Sequence, residues 1–339
     1  MAQPPPAVNP NPKHAQPGAA GPHGFALPTT PHQPSFSRVA VIGPGAIGCC
    51  VVVRLAAAGF QVTLIDHRPD RAARLSARPI VVHAPEGDLA ARLTVRTVPE
   101  EPPDLVLLAV KAYAARAATE AAAKWIGRAP VVTLENGLGV AGEVGGALPA
   151  TTVITGVIYQ GANLVGEGEV NHVANVAVYL GYEGRGPDAL VEAVAATLRR
   201  AGFPADVQPD MTPVVWGKLL VNAAINPTAA LAGVTNGEVA ERPTLRALAQ
   251  TLAEEGEQAA RAAGVTLPYP STVEAVMATA RQTADNRCSM LQDLEAGRAT
   301  EVEYLNGAIV RVGEAHGVAT PANRAAAALI RQVSAKGHG

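Results

Sequence analysis

The apolar run Val39-Ala40-Val41-Ile42, followed at once by Gly43-Pro44-Gly45-Ala46-Ile47-Gly48, restricts the folds open to this chain more than any other feature. Four consecutive apolar residues without polar alternation read as a strand buried on both faces, the habit of parallel sheets. The Ala- and Val-rich stretch behind the glycines reads as a helix to Ala58 stopped by Gly59, and Val62 to Ile65 reads as a second strand ending at Asp66. Strand, glycine-rich turn, helix and strand in succession make a βαβ unit.

The alternation continues downstream. Ile80 to Val82, Leu93 to Val98, Leu105 to Val110 and Val131 to Leu134 read as strands, with a helix from Tyr113 to Trp125 between the last two. Between Thr152 and Leu180 β-branched residues predominate, with turn signals at Gly166 to Gly168, which predicts an antiparallel extension before a helix from Asp188 to Arg200. Strand signals stop near Gln208. Thr212 then reads as the N-cap, and Pro213 as the first residue, of a helix to Leu231; a helix from Thr244 to Ala263 and two further helical segments follow. The expected fold class is α/β, with a Rossmann-type dinucleotide-binding domain over residues 38–208 and an all-helical substrate and catalytic domain over residues 209–335. Residues 1–37 hold ten of the 28 prolines and one charged side chain, Lys13. They are expected to form a disordered tail or, alternatively, to lie upstream of the true start.

Composition removes several function classes. Lys plus Arg (27) nearly cancels Asp plus Glu (29), and the net charge of −2 supplies no field to draw nucleic acid or an anionic membrane. The longest uncharged stretch, Val144 to Gly166, is broken by Pro149, several glycines, Gln160 and Asn163, and reads as strands rather than a membrane span. Three cysteines, two of them adjacent (Cys49, Cys50), make neither a disulfide framework nor a C-x-x-C metal site. The chain therefore reads as cytoplasmic and metal-free, with a homodimer left open.

Gly43, Gly45 and Gly48 fit G-x-G-x-x-G: the first allows the tight turn, the second lets a pyrophosphate reach the backbone, and the third lets the helix pack closely. Ala46 and Ile47 would add helix N-terminal amides. A plain glycine-rich turn in an Ala- and Gly-biased chain is the competing reading. Asp66 lies 23 positions after Gly43, where a carboxylate accepts from the ribose of NAD and repels the 2′-phosphate of NADP. Arg68, just beyond, could hold that phosphate or be a solvated helix-start charge.

Lys111 and Asn136 follow strands and so belong at carboxyl ends, where open α/β sheets bind ligands; a surface lysine and an Asn-Gly turn explain them equally. Lys218, Asn222 and Asn226 recur every four residues and share one helix face. Asparagine is a poor helix former, so the repeat suggests a site, with an exposed polar stripe as the alternative. Thr300 to Glu303 reads as a capping box, leaving Glu301 at a helix start and free to face a cleft, unless it is an ordinary first-turn carboxylate.

Taken in order, the Gly43 to Gly48 loop, Val110-Lys111-Ala112, Asn136-Gly137, Trp216-x-Lys218-x-x-x-Asn222-x-x-x-Asn226, and Ser289-Met290-Leu291-Gln292-Asp293 through Gly297-Arg298 to Glu301 and Asn306-Gly307 resemble the ketopantoate reductase family. The resemblance spans about residues 38 to 330. It implies NADPH-dependent reduction of a small 2-keto acid, 2-dehydropantoate, to pantoate, a step of pantothenate and coenzyme A biosynthesis. It further implies Lys218 as general acid and Glu301 as a substrate-binding carboxylate. Asn136, Asn222, Asn226 and Ser289 would line the site, Asn236 and Asn286 would match binding asparagines, and Lys111 would lie by the cofactor. Pro44 stands where the family usually has a small residue and Glu135 where it commonly has glutamine, while Asp66 keeps NAD(H) open as the cofactor. The alternatives are a D-2-hydroxy-acid dehydrogenase of the same architecture and a non-catalytic NADP(H)-binding sensor.

Overall fold

The structure is a computed structural model that describes residues 36–336. Its opening βαβ unit consists of β1 (Arg38–Ile42), α1 (Ala46–Ala57) and β2 (Gln61–Ile65). The chain continues through α2 (Pro69–Ser76), β3 (Ile80–Ala84), β4 (Gly87–Ala91) and the short β5 (Val95–Arg96). A second alternation follows in β6 (Leu105–Leu108), α3 (Ala112–Ile126), β7 (Val131–Thr133) and α4 (Val140–Ala147). β8 (Val153–Gly166) and β9 (Glu169–Gly181) then form a long antiparallel hairpin, and α5 (Ala189–Arg200) leads to β10 (Ala205–Val207).

These strands make one sheet in the order β4-β3-β9-β8-β7-β6-β1-β2-β5, with β10 added on β9. Only β3/β4 and β8/β9 pair antiparallel. The chain leaves β1 for β2 on one side, while β6 occupies the other, and this reversal opens a crevice at the carboxyl ends of β1 and β6. α1 is enclosed, with every residue from Gly48 to Leu55 buried between β1, β2 and the β3/β4/β8/β9 part of the sheet. That enclosure explains why it is apolar all round rather than striped.

From Thr212 onward the described residues contain only helices: α6 (Thr212–Ala232), α7 (Asn236–Glu241), α8 (Pro243–Ala262), α9 (Thr272–Gln282), α10 (Ser289–Glu295), α11 (Asn306–Ala315) and α12 (Pro321–Lys336). The molecule thus has the expected α/β architecture, a Rossmann-type N-terminal part followed by a helical C-terminal part. α6 runs through the middle of the helical part, packed by α7, α8, α9, α10 and α12. Pro227 sits inside it without breaking it. Proline has no N–H to give the carbonyl four residues back, and the Asn306 amide instead donates to Ala223 O at 2.8 Å. The same amide bonds Asn323, whose own amide reaches the buried Glu255 carboxylate, so the gap left by proline is closed by a connected polar network.

Several expectations need correction. The strand expected over Leu93 to Val98 pairs with β2 only at Val95 and Arg96, and the exposed edge strand β4 carries too few apolar residues to announce itself. In the uncharged stretch from Val144, residues to Ala147 complete α4, whose buried Val140 and Val144 overcome three glycines; strand begins at Val153. Met211, not Thr212, occupies the N-cap of α6, and the Asp210 carboxylate accepts from the Thr212 amide at 2.9 Å. The capping box expected at Thr300 does not form: residues 301–305 turn, α11 starts at Asn306, and the Glu301 carboxylate is claimed elsewhere. α9 to α12 give four helices after α8 rather than two. Of the residues 1–37 expected to lie outside the fold, Phe36 is buried in the core and Ser37 bonds the Asp104 carboxylate, so these two belong to it; residues 1–35 lie outside the described residues.

Candidate active site

The glycine loop meets the demands expected of a phosphate cradle. Gly43 has φ +106°, and a Cβ there would lie 2.8 Å from Ala109 O at the end of β6. A Cβ on Gly48 would approach Gly43 O to 1.9 Å, so the third glycine lets α1 start against the loop. Cys49 N–H makes the first helical bond, to Gly45 O at 2.9 Å, which leaves the amides of Ala46, Ile47 and Gly48 without an intrahelical acceptor. α1 has no acidic residue in its first turn. Free amides at a positive helix end suit a dinucleotide pyrophosphate.

Asp66 closes β2, and its side chain has no exposed surface. Its carboxylate pairs with two prongs of the Arg71 guanidinium, Nη2 to Oδ1 at 2.7 Å and Nε to Oδ2, and accepts from Arg68 N–H at 3.2 Å. Burial alone would raise its pKa, but the bonds from Arg71 and Arg68 outweigh this and hold it below the usual carboxylate range. The Arg68 side chain is exposed. Arg71, one turn into α2, was not singled out from the sequence; its five-residue separation from Asp66 was the available signal.

Two loops from the sheet, after β6 and after β7, meet one turn of the helical part. The Glu301 carboxylate, 6% exposed, accepts from Ala112 N–H at 2.9 Å and from Asn136 Nδ2 at 3.1 Å. Ala112 is the first residue of α3, whose N-cap residue Lys111 offers no side-chain cap, so Glu301 caps that helix from 189 positions away. Gly137 has φ +107°, and a Cβ there would meet Tyr304 Cβ at 2.6 Å. Leu138 N–H reaches Tyr304 O at 3.0 Å, and Tyr304 OH donates to Glu143 at 2.9 Å. Beside this seam Lys111 Nζ donates to Asp293, which also accepts from Arg298. Burial would lower the Lys111 pKa, but the Glu301 and Asp293 carboxylates raise it above its ordinary value.

A narrow cleft opens next to the seam, walled by Glu135, Asn136, Thr155, Glu183, Val215 and Lys218 among others. Lys218 Nζ donates to Ile158 O on β8 at 2.6 Å and lies 5.2 Å from the centroid of the Tyr159 ring. Burial pulls its pKa down to about 8, with Glu301 opposing the shift.

The structure therefore brings Lys111, Asn136, Lys218 and Glu301 to one place. Asn222 and Asn226 continue along α6 beyond Lys218; Asn226 is 7% exposed, which removes the exposed-stripe alternative. Asn236 and Asn286 meet each other instead, Asn236 N–H to Asn286 O at 2.9 Å, and the Asn236 amide reaches Thr283. Ser289 is exposed at the first turn of α10, and the cleft wall holds none of Asn222, Asn226, Asn236, Asn286 and Ser289.

Residues 39–184 match the family model described as ketopantoate reductase PanE/ApbA, and residues 210–334 match its C-terminal counterpart. The 2-dehydropantoate 2-reductase of Halobacterium salinarum is 36% identical over 87% of this chain and 98% of its own length. That of Archaeoglobus fulgidus is 37% identical over 87% and 97%. Among solved structures, a PanE/ApbA family ketopantoate reductase from Ralstonia eutropha superposes with a TM-score of 0.82 at 29% identity, covering 89% of this chain and all of that one. Among the described residues no helix is long and apolar enough to cross a membrane.

Proposed function

The chain belongs to the ketopantoate reductase family, and from that premise we propose that it reduces 2-dehydropantoate to pantoate with NADPH as the hydride donor. The observation that carries this reading is Lys218: a desolvated amine in a cleft that opens beside the glycine loop's crevice, bonded to one backbone carbonyl. Residues 38–208 bind the dinucleotide, and residues 209–335 supply the proton donor and close the substrate site.

When bound, the reduced nicotinamide supplies a hydride to the ketone carbon of the substrate. Lys218 gives its proton to the carbonyl oxygen as the C=O π bond breaks, and its positive charge stabilises the developing alkoxide. The products are a secondary alcohol, the oxidised cofactor and a neutral amine that regains its proton from water. Glu301 is fixed by Ala112 and Asn136 and accepts from a substrate hydroxyl, while its charge keeps Lys218 protonated at higher pH than burial alone would allow. Asn136, Asn222 and Asn226 offer neutral hydrogen bonds to the substrate. NADPH rather than NADH is favoured because Arg71 occupies the carboxylate that would otherwise accept from the ribose.

Initial rates with NADPH and NADH against ketopantoate and an aromatic 2-keto acid test this reading. NADPH with ketopantoate should give the highest kcat/KM. Preference for the aromatic acid would instead make the protein a D-2-hydroxy-acid dehydrogenase, and failure to oxidise either cofactor would remove the reductase reading.

The pH profile follows from Lys218. An amine with a pKa of about 8 donates below that value and not above it, so kcat/KM should fall as pH rises through about 8. Glu301→Gln removes the carboxylate that raises the value, and the alkaline limb should move to lower pH. An unmoved limb in that variant would show that a different group titrates.

A further inference from the structure

Glu135 belongs to the cleft but has no part in the chemistry described so far. It stands two residues beyond β7, between the loop after β6 that carries Lys111 and β8, whose Ile158 carbonyl holds Lys218. Its side chain lines the same cleft as Asn136 and Lys218. Oε2 accepts from Leu134 N–H at 3.0 Å, whereas Oε1 is buried without a hydrogen-bond partner among the described residues. An unmatched buried carboxyl oxygen calls for a partner or a role.

The groups around it are all committed. Lys218 is bonded to Ile158 O, Lys111 to Asp293, Glu301 to Ala112 and Asn136, and Glu183 to Thr155 Oγ1. Among the described residues no cation forms an ion pair with Glu135; burial, with Glu301 adding repulsion, drives its pKa well above the usual carboxylate range, against the opposing pull of the Glu135, Leu134 and Val110 backbone N–H groups. In its protonated form, which burial favours, the side chain offers one O–H donor and one carbonyl acceptor side by side. That pair complements a primary amide, which offers one acceptor and N–H donors in the same spacing.

A dinucleotide whose phosphates rest at the β1 loop must carry its nicotinamide past the ends of β6 and β7 to reach the amine above β8. We propose that Glu135 reads the carboxamide of the nicotinamide ring, donating to its oxygen and accepting from its NH₂. The inference rests on the reductase reading and adds a residue that fixes which end of the cofactor is recognised and how the ring is oriented.

Calorimetric binding to the full chain separates the two. The probes are NADP⁺, its 3-acetylpyridine analogue, in which a methyl replaces the amide NH₂, and 2′-phospho-ADP-ribose, which has no ring. The wild-type protein should favour NADP⁺ over the analogue by roughly 3- to 10-fold, the worth of one neutral hydrogen bond. Glu135→Gln, which keeps a donor and an acceptor, should retain that preference. Glu135→Ala should bind both alike while binding 2′-phospho-ADP-ribose as the wild type does. Equal discrimination in the alanine variant, no discrimination in the wild type, or equal weakening of the ring-free fragment would overturn the proposal. Absence of any dinucleotide binding by the wild type would overturn the reductase reading and this inference together.

Discussion

Replacing Lys218 by alanine should lower kcat by roughly 10²–10⁴-fold, the usual contribution of a positioned proton donor, while NADPH binding changes little. The asymmetry comes from placement. Lys218 Nζ is anchored over β8, whereas the amides suited to the pyrophosphate belong to Ala46, Ile47 and Gly48 beyond β1. Folding should survive, because the deletion leaves one carbonyl, Ile158 O, without its donor and also removes a desolvated charge. Lys218→Arg divides the role further. A guanidinium keeps the positive charge but does not release its proton in this pH range, so activity partly recovered in arginine would assign most of the effect to electrostatic stabilisation. Single-turnover hydride transfer followed by NADPH absorbance, with cofactor affinity measured separately, decides the matter. Near wild-type turnover in the alanine variant would mean that the proton comes from another group.

What could be read from the sequence was what local chemistry imposes. The loop at Gly43 to Gly48 was legible because two of its constraints are local, the φ of +106° at Gly43 and the 1.9 Å overlap that a Gly48 side chain would make with Gly43 O. The repeat Lys218, Asn222, Asn226 was legible because helix geometry alone puts those positions on one face. Glu301 was legible as a candidate but not in its role. A Thr-x-x-Glu pattern suggested a local cap, and the structure instead uses the carboxylate to cap α3 from 189 positions away, a choice that only tertiary packing could make. Asn306 belongs to a recognisable Asn-Gly motif, yet its task, supplying the donor that Pro227 lacks, depends on a carbonyl 83 residues earlier. The backbone bond between Asn236 and Asn286 is likewise a tertiary choice, joining residues fifty positions apart that no local pattern pairs.

Replacing Arg71 by alanine should swing cofactor preference from NADPH toward NADH by about 10- to 150-fold, the equivalent of one hydrogen bond to a charged group at roughly 1.5–3 kcal/mol. In the intact protein Arg71 bonds both Asp66 oxygens and Arg68 N–H adds a third donor, so three of the carboxylate's roughly four acceptor positions are taken and a ribose hydroxyl competes for what is left. The carboxylate charge is compensated, and the exposed guanidinium of Arg68 with the partly exposed one of Arg71 presents a cationic face suited to a 2′-phosphate. Deleting Arg71 inverts each of these terms at once: Asp66 becomes an unpaired anion that accepts from the 2′-hydroxyl of NAD(H) and repels the phosphate of NADP(H). Stability should change with a definite sign. The folded-state pKa of Asp66 is depressed, so its contribution is present above the ordinary carboxylate value and lost as pH falls through the folded one. The variant should therefore lose stability most at neutral pH and least in acid, where the wild-type pair is itself dissolving. Measuring kcat/KM for both cofactors, together with competition by 2′,5′-ADP against 5′-ADP, tests the recognition without depending on hydride chemistry. An unchanged ratio in both measurements would mean that Asp66 is idle in cofactor choice and that the phosphate is read elsewhere.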